Sequence, residues 1–256
     1  MRIGIHAGHN PDGKIACGAI GLIKESTEAR KVKDEVIRLL KLVGHTVYDC
    51  TVDNGTSQSD VINKILSKSN AQTLDLTVSI HFNSGRNDKN GDGDNAGVEV
   101  LMTEIEGIKK DVGTRICNNI AKLGYDNRGN KVDKKLGFLN KSKAKAILVE
   151  CCFVDDADDV KLYNYKTMAK AIAEGIHGSS IKDNYNSTSS DNSCNYVVKI
   201  ITDSLNVRKG PSTSYDIATT VKKGQAYTIV EENNNWGKLK SGAGWISLNS
   251  KYVQKI

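Results

Sequence analysis

The chain has 256 residues, of which 38% are hydrophobic and 26% charged, and its formal net charge is +6. No apolar run approaches the ~20 residues that a membrane-spanning helix needs, so we expect no membrane insertion. Residues 195–256 carry nine Lys or Arg against four Asp or Glu, whereas residues 1–178 are nearly balanced. Because these basic residues are spread rather than clustered, we expect an anionic partner but no nucleic acid.

The first two thirds of the chain alternate apolar runs with helical patterns. Short apolar runs typical of buried strands occupy residues 3–5, 45–50, 74–80, 98–102 and 146–149. Apolar residues at helical spacing lie between and after them, within residues 29–43, 61–66, 105–123 and 167–177. Strands that alternate with helices are typical of a layered α/β fold. We therefore predict a three-layer α/β domain over residues 1–178, with a mixed sheet and helices on both faces.

The last third of the chain has a different composition. Residues 179–194 are polar and contain almost no core-forming side chain, which is typical of a flexible linker. From residue 195 the pattern changes to short β-rich runs separated by Gly, Asn and Pro. This pattern predicts a small all-β barrel over residues 195–256.

Side chains that can bind a metal or move a proton follow three of the predicted strands. His6 and His9 lie in a glycine-bracketed turn at the end of the first strand. His81 follows the third predicted strand, and Glu150 follows the fifth. Open sheets place ligand sites outside the carboxyl ends of their strands, so we expect these groups to converge. From the residues alone, either histidine of the turn is a candidate ligand, and His81 also fits a hydrogen-bonded histidine at a strand end.

A further carboxylate leads the first predicted helix. On a helical wheel of ~100° per residue, Glu25 projects along the centre of the apolar face and Glu28 lies to one side. A carboxylate on the core side needs a partner, so we select Glu25 over Glu28 as the candidate ligand. Two imidazoles and one carboxylate make a three-ligand zinc set, and a second carboxylate moves protons when an amide is hydrolysed. Glu150 fits that second role.

Four separate motifs carry a family resemblance. In chain order they are Ile5-His6-Ala7-Gly8-His9, Gly21-Leu22-Ile23-Lys24-Glu25, Ser79-Ile80-His81-Phe82-Asn83 and Leu148-Val149-Glu150-Cys151-Cys152-Phe153. Their order and setting resemble the zinc-dependent N-acetylmuramoyl-L-alanine amidases of the amidase-3 type, over residues 1 to about 178. The resemblance implies Zn²⁺ bound by His9, Glu25 and His81, with Glu150 as the catalytic carboxylate. The implied reaction cleaves the amide between N-acetylmuramic acid and the L-alanine of the stem peptide.

One position departs from that family. The family usually has Asp where this chain has His6. We expect His6 to contact and orient a metal ligand without binding the metal itself. The alternative is that His6 competes for the metal.

The tail resembles a second family. Leu205-Asn206-Val207-Arg208-Lys209-Gly210-Pro211, Trp236-Gly237-Lys238-Leu239 and Gly244-Trp245-Ile246 are similar to bacterial SH3-like (SH3b) wall-binding domains. The resemblance implies anchoring to peptidoglycan. Tyr215, Trp236 and Trp245 are candidate wall-binding aromatics, and packing in the core is their alternative role.

Residues 88–99 match a calcium-loop template. Asp88, Asn90, Asp92, Gly93 and Glu99 occupy its key positions. An EF-hand requires flanking helices, and the neighbouring segments are predicted to be strands. We therefore expect a solvated turn rather than a calcium site.

An amidase and a wall-binding module on one chain resemble a bacteriophage endolysin that lyses a Gram-positive host. The first residues lack the apolar segment of a secretory signal. We accordingly expect synthesis in the host cytoplasm without a signal peptide, and action on the wall once the membrane is permeabilised. The alternatives are a host autolysin or sporulation amidase, and a non-catalytic wall-binding protein.

Overall fold

The computed structural model describes residues 1–183, 196–213, 215–233 and 235–256. The chain divides into two compact units, Met1–Asn184 and Tyr185–Ile256. Most of the predicted linker, residues 179–194, lies outside the described residues, so its flexibility stays a prediction. Ile181 is buried and packs on the core of the first unit, so that unit extends beyond residue 178.

The first unit is a mixed sheet between two layers of helices. Its elements in residues 1–183 are β1 (Arg2–Ala7), α1 (Glu25–Leu42), β2 (Thr46–Asp49), α2 (Gln58–Asn70), β3 (Leu76–Asn83), β4 (Val98–Met102), α3 (Gly107–Ala121), β5 (Asn127–Val132), α4 (Gly137–Lys141), β6 (Lys145–Phe153), α5 (Ala157–Leu162) and α6 (Tyr165–His177). The strand order is β2-β1-β3-β6-β4-β5, and the β4–β6 pair is antiparallel whereas the other pairs are parallel.

The two faces of this sheet carry separate cores. The larger core holds α1, α3 and α6 against side chains such as Ile80 and Val149. The smaller core holds α2 and α4 against Leu148. Successive side chains of a strand point to opposite faces, which is why neighbours in the sequence enter different cores. The predicted three-layer α/β fold is confirmed.

Two strands run further than the sequence predicts. His81 and Glu150 were expected directly after their strands, but they lie inside β3 and β6, where they pair with each other across the ladder. The pairing continues to Asn83 and Phe153 after a local irregularity. The sequence does not indicate this extension, because the apolar pattern stops at Ile80 and Val149 and polar side chains follow.

The second unit is all-β within its described residues. Its strands are β7 (Tyr196–Ile200), β8 (Ser204–Arg208), β9 (Ile217–Lys222), β10 (Ala226–Asn233), β11 (Trp236–Leu239), β12 (Trp245–Ser247) and β13 (Val253–Lys255). They form one antiparallel sheet in the order β13-β7-β10-β11-β12-β8-β9. The core is aliphatic and includes Ile200, Val207 and Ile229. Across the described parts of both units, no helix combines the length and apolarity needed to cross a membrane.

Candidate active site

The structure brings His9, Glu25 and His81 together at one edge of the sheet. His9 follows β1, Glu25 begins α1, and His81 lies near the end of β3. One potential ligand atom from each lies within 4.8 Å of the other two. Glu25 Oε1 is 3.2 Å from His9 Nε2 and 2.9 Å from His81 Nδ1. Three dispersed segments therefore present two nitrogens and one oxygen to a common point.

Backbone donors hold the Glu25 carboxylate in place. The Ala19 amide donates to Oε2 at 2.7 Å, and the Phe82 amide donates to Oε1 at 3.2 Å. Burial acts to raise the pKa of Glu25, but hydrogen bonds from the His81 and His9 rings outweigh it and leave the pKa below its ordinary value. Glu25 is 4% exposed and ionised, a state suited to a cation.

Glu28, the rival carboxylate, points elsewhere. Its Oε1 accepts a bond from Lys31 Nζ at 2.8 Å, and its Oε2 accepts one from the Tyr163 hydroxyl at 3.1 Å. It therefore takes no part in the cluster around Glu25.

Two glycines make room for the cluster. A Cβ at Gly8 would lie 1.8 Å from His81 Nε2 and 1.9 Å from Cε1, in steric overlap with the imidazole ring. A Cβ at Gly18 would lie 2.4 Å from Glu25 Oε2, and Gly18 also has φ of +80°. Gly8 belongs to a motif that the sequence singled out, whereas nothing in the sequence marked Gly18.

Arg30 of α1 holds the loop that carries His9. Its Nη2 donates to the carbonyl oxygen of His9 at 2.7 Å and to Asp53 Oδ1 at 2.6 Å. Arg30 lies one turn and a half along the helix from Glu25, so a single helix positions two of the three candidate ligands. Sequence reasoning missed this residue because it lies off the apolar face.

Glu150 lies beside the cluster on the next strand. It pairs with His81 on β3 and with Glu99 on β4. Its Oε2 is buried and has no hydrogen-bond partner among the described residues. Burial, followed by the negative charges of Glu25 and Glu99, raises its pKa from 4.5 to about 8. A carboxyl group with such a pKa can hold or release a proton near neutral pH.

Glu99 and two cations form a support that sequence reasoning missed. Glu99 Oε2 accepts bonds from Arg128 Nε at 2.8 Å and Lys131 Nζ at 2.6 Å, and Oε1 accepts one from Asn83 Nδ2 at 3.1 Å. Burial acts to raise the pKa of Glu99, but Lys131 and Arg128 outweigh it and lower the pKa. Glu99 thus stays ionised beside Glu150.

His6 lies beneath the cluster and makes no hydrogen bond to a candidate ligand among the described residues. It is 1% exposed, and its Nδ1 is 3.4 Å from both the Ala7 carbonyl oxygen and Ser79 Oγ. Its ring packs edge-on against Phe138, with the centroids 4.4 Å apart. Burial lowers its pKa to about 3, so the ring is neutral. The expected positioning role of His6 stays a prediction.

The residues that match the calcium-loop template lie in two separate places in the structure. Glu99 is engaged on β4, whereas Asp88 lies near Asp156 and Asp158. The Asp88 oxygens accept bonds from the amides of Gly91 and Asp92, which closes a turn. The solvated turn stays a prediction.

Comparison with known proteins identifies the first unit. Residues 3–180 match the Amidase_3 family of N-acetylmuramoyl-L-alanine amidases. The chain belongs to this family. An uncharacterized protein of Clostridium perfringens (strain 13 / Type A) is 30% identical, over 99% of this chain and 80% of that protein. A putative N-acetylmuramoyl-L-alanine amidase of Bacillus subtilis (strain 168) is 47% identical over 45 residues, which are 18% of this chain and 9% of that protein.

The amidase unit also resembles solved structures. The catalytic domain of the CD27L endolysin, described as targeting Clostridia Difficile, is 27% identical with a TM-score of 0.63, over 71% of this chain and 99% of that chain. The N-acetylmuramoyl-L-alanine amidase AmiC2 of Nostoc punctiforme shares the fold at 24% identity and a TM-score of 0.57, over 70% of this chain and 96% of that one. The family match supports peptidoglycan amidase activity, and the two structures share the fold of the first unit.

The second unit carries the candidate wall-binding aromatics. Residues 203–254 match the bacterial SH3 domain family. Tyr215 is 48% exposed and Trp236 is half-buried, whereas Trp245 is 8% exposed and lies under Lys238 Nζ, 5.8 Å from the ring centroid. Tyr215 and Trp236 are thus the candidates that reach solvent, and their role in binding stays a prediction.

Proposed function

We propose that this amidase hydrolyses the bond between N-acetylmuramic acid and L-alanine with a zinc ion held by His9, Glu25 and His81. The observation that carries the proposal is the convergence of these three groups beside Glu150. Family membership gives the reaction class, and the chain's own residues supply the roles that follow.

The donor set fits zinc. Two imidazole nitrogens and one carboxylate oxygen are a common ligand set of catalytic zinc sites, which keep a fourth position open. Burial lowers the pKa of His81 and so favours the neutral imidazole that binds a metal. The ionised carboxylate of Glu25 balances part of the ion's charge. Zinc bound there supplies Lewis-acid chemistry, which polarises an amide carbonyl and acidifies water.

Glu150 is the proton-moving group in this proposal. It takes a proton from the attacking water as the new C–O bond forms, and it returns a proton to the alanine nitrogen as the C–N bond breaks. The products are the carboxylate of the muramic acid lactyl group and a free alanine amine. A carboxyl group with a pKa near neutrality serves both steps.

Product analysis of digested wall tests this function. Purified peptidoglycan incubated with the full chain should yield new alanine amino groups without new reducing sugar ends, and a chelator should abolish the release until zinc is restored. New reducing ends without alanine amines would show a glycosidase instead. Absence of both products would refute the enzymatic role.

We infer that the whole chain acts as an endolysin on a Gram-positive wall. The 27% identical catalytic domain of an endolysin and the bacterial SH3 domain support this inference. In this role the chain is made in the host cytoplasm and reaches the wall after the membrane is permeabilised. Expression inside Gram-positive cells should cause lysis only when a membrane-permeabilising agent is added. Lysis without that agent would favour an exported autolysin.

A further inference from the structure

A small cavity lies next to the candidate metal ligands, on the α2/α4 face of the sheet. Its volume is about 70 Å³, and its walls include His6, Ile62, Phe138 and Leu148, with His81 at the side of the active site. Most of the surface that lines the cavity is apolar. The cavity is several times larger than the roughly 10–15 Å³ that one water needs, so it can take a group of several atoms.

The register of the sheet fixes where this cavity sits. His6 on β1 pairs with Ser79 on β3, and Ser79 pairs with Leu148 on β6. The next pair on the same face is His81 with Glu150. Two residues of a strand span about 7 Å, so the floor of the cavity lies one side-chain row below the reacting groups.

One residue in the wall of the cavity carries a buried polar atom without a hydrogen-bond partner in the described part of the chain. Among its described lining residues, His6 Nε2 is the buried side-chain atom without a hydrogen-bond partner. A buried polar atom left unpaired costs free energy, so it marks a place where a ligand can supply the missing bond. The His6 ring packs edge-on against Phe138, another residue of the cavity wall, with the ring centroids 4.4 Å apart.

We propose that this cavity binds the 2-acetamido group of N-acetylmuramic acid, and that His6 Nε2 forms a hydrogen bond with its amide. The proposal rests on the proposed function. The acetamido methyl suits the carbon walls, and its amide offers both an N–H and a C=O, so either tautomer of His6 finds a complement. A lone methyl, such as that of L-alanine, leaves most of the volume empty and Nε2 unpaired.

The geometry of the substrate agrees with this position. In muramic acid the acetamido group and the lactyl ether are attached to neighbouring ring carbons, and the lactyl group carries the scissile carbonyl. The acetamido group is therefore only a few bonds from the reacting carbon. This short separation agrees with a cavity that lies one side-chain row from Glu150.

Paired soluble substrates test the proposal in the full chain. Two muramoyl peptides differ only in a 2-acetamido or a 2-amino group, and a third replaces L-alanine with glycine. We expect wild-type kcat/KM to be about tenfold higher for the acetylated substrate, through KM, because one hydrogen bond and one buried methyl are lost without it. His6→Phe keeps an aromatic ring at this position but removes Nε2. In this variant the ratio of kcat/KM for the acetylated substrate to kcat/KM for the 2-amino substrate should fall below about threefold.

Two further variants keep the test independent of folding. Thr77→Val removes another buried, unpaired polar atom on β3, away from the cavity lining, and should keep the wild-type ratio. Ile62→Phe fills the cavity from α2 and should slow the acetylated substrate alone. Equal wild-type rates on the first two substrates, or a His6→Phe ratio equal to wild type, would overturn the proposal. A lost preference for alanine over glycine in His6→Phe would assign the cavity to the alanine methyl instead.

Binding separates this proposal from the proposed function. Glu150→Gln should bind the acetylated muramoyl peptide more tightly than the 2-amino peptide, and the double variant with His6→Phe should not. If the wild type releases no alanine amines from purified wall, the proposed function fails, and the binding ratio still decides whether the cavity recognises the acetamido group.

Discussion

The Oε1 atom of Glu25 lies 2.9 Å from Nδ1 of His81, although 56 residues separate them in the chain. The contact joins the first residue of α1 to the end of β3. His9 completes the group through its Nε2, 3.2 Å from the same oxygen. A carboxylate shared between two imidazoles is a compact set of metal ligands, and it depends on the helix and two strands meeting at one edge.

Glu25 and Glu28 should differ sharply in their effect on zinc. Glu25→Gln removes an anionic ligand, so zinc affinity should fall by more than the roughly 10–100-fold that the loss of an outer partner costs. Glu28→Gln alters bonds to Lys31 and Tyr163 and should leave zinc affinity unchanged. Titration against a competing chelator measures both. Loss of zinc in Glu28→Gln with normal affinity in Glu25→Gln would reverse the assignment.

Gly8→Ala should abolish activity by displacing His81. The added Cβ would meet the imidazole at 1.8 Å, so either the ring or the β1 turn must move. We expect zinc content and amide cleavage to fall together while the far-ultraviolet circular dichroism stays native. Gly44→Asn, at a left-handed position after α1 with open space around it, is the matched control. Full zinc binding by Gly8→Ala would contradict the described packing.

The contribution of Glu150 to the stability of the metal-free chain should fall as the pH rises from about 4.5 to about 8. Burial and the charges of Glu25 and Glu99 raise the pKa of Glu150 from 4.5 to about 8. The folded chain therefore keeps this proton to a higher pH than the unfolded chain. Its contribution to the free energy of unfolding is complete below 4.5 and declines by at most about 1.4 kcal/mol per pH unit up to 8.

Denaturant unfolding in chelator, repeated at several pH values, measures this effect. The free energy of unfolding of the unsubstituted chain minus that of Glu150→Gln should fall across the same window, because Gln does not titrate and the two proteins share their other titrating groups, including the buried His6 and His81. Identical slopes in the two proteins would mean that Glu150 is ionised in the folded, metal-free chain.

Tyr215 should contribute to wall binding more than a comparably exposed tyrosine. Tyr215 is 48% exposed and lies over Gly210, where an added Cβ would sit 2.5 Å from the ring, so the ring is held in place. Tyr252, 40% exposed, is the control. Co-sedimentation with purified wall at moderate salt should weaken for Tyr215→Ala and not for Tyr252→Ala. Equal binding by both variants would remove Tyr215 from the binding surface.

The sequence predicts those parts of the fold that have an apolar period. β1, β3, β6 and the long helices all show it, and the three-layer arrangement follows from their alternation. The same pattern led to His9, Glu25 and His81, which the structure brings together. These residues stand next to strongly patterned segments, where a change from apolar to polar is easy to see.

The remaining features leave no comparable pattern. β5 is a mostly exposed edge strand of polar residues, so neither it nor Arg128 and Lys131 beside Glu99 could be predicted. The register that pairs His81 with Glu150 arises from contacts between strands, which one strand's sequence does not contain. The unpaired nitrogen of His6 likewise depends on how Phe138 packs, a feature of the tertiary structure.

The measurement that tests the central claim most directly combines zinc content with amide cleavage in Glu150→Gln. The substitution leaves His9, Glu25 and His81 intact, so the purified full chain should bind zinc in the wild-type ratio. Release of alanine amines from wall should fall by about 10²–10⁴-fold, the usual contribution of a general acid or base. Wild-type cleavage by a Glu150→Gln chain that retains its zinc would contradict the account.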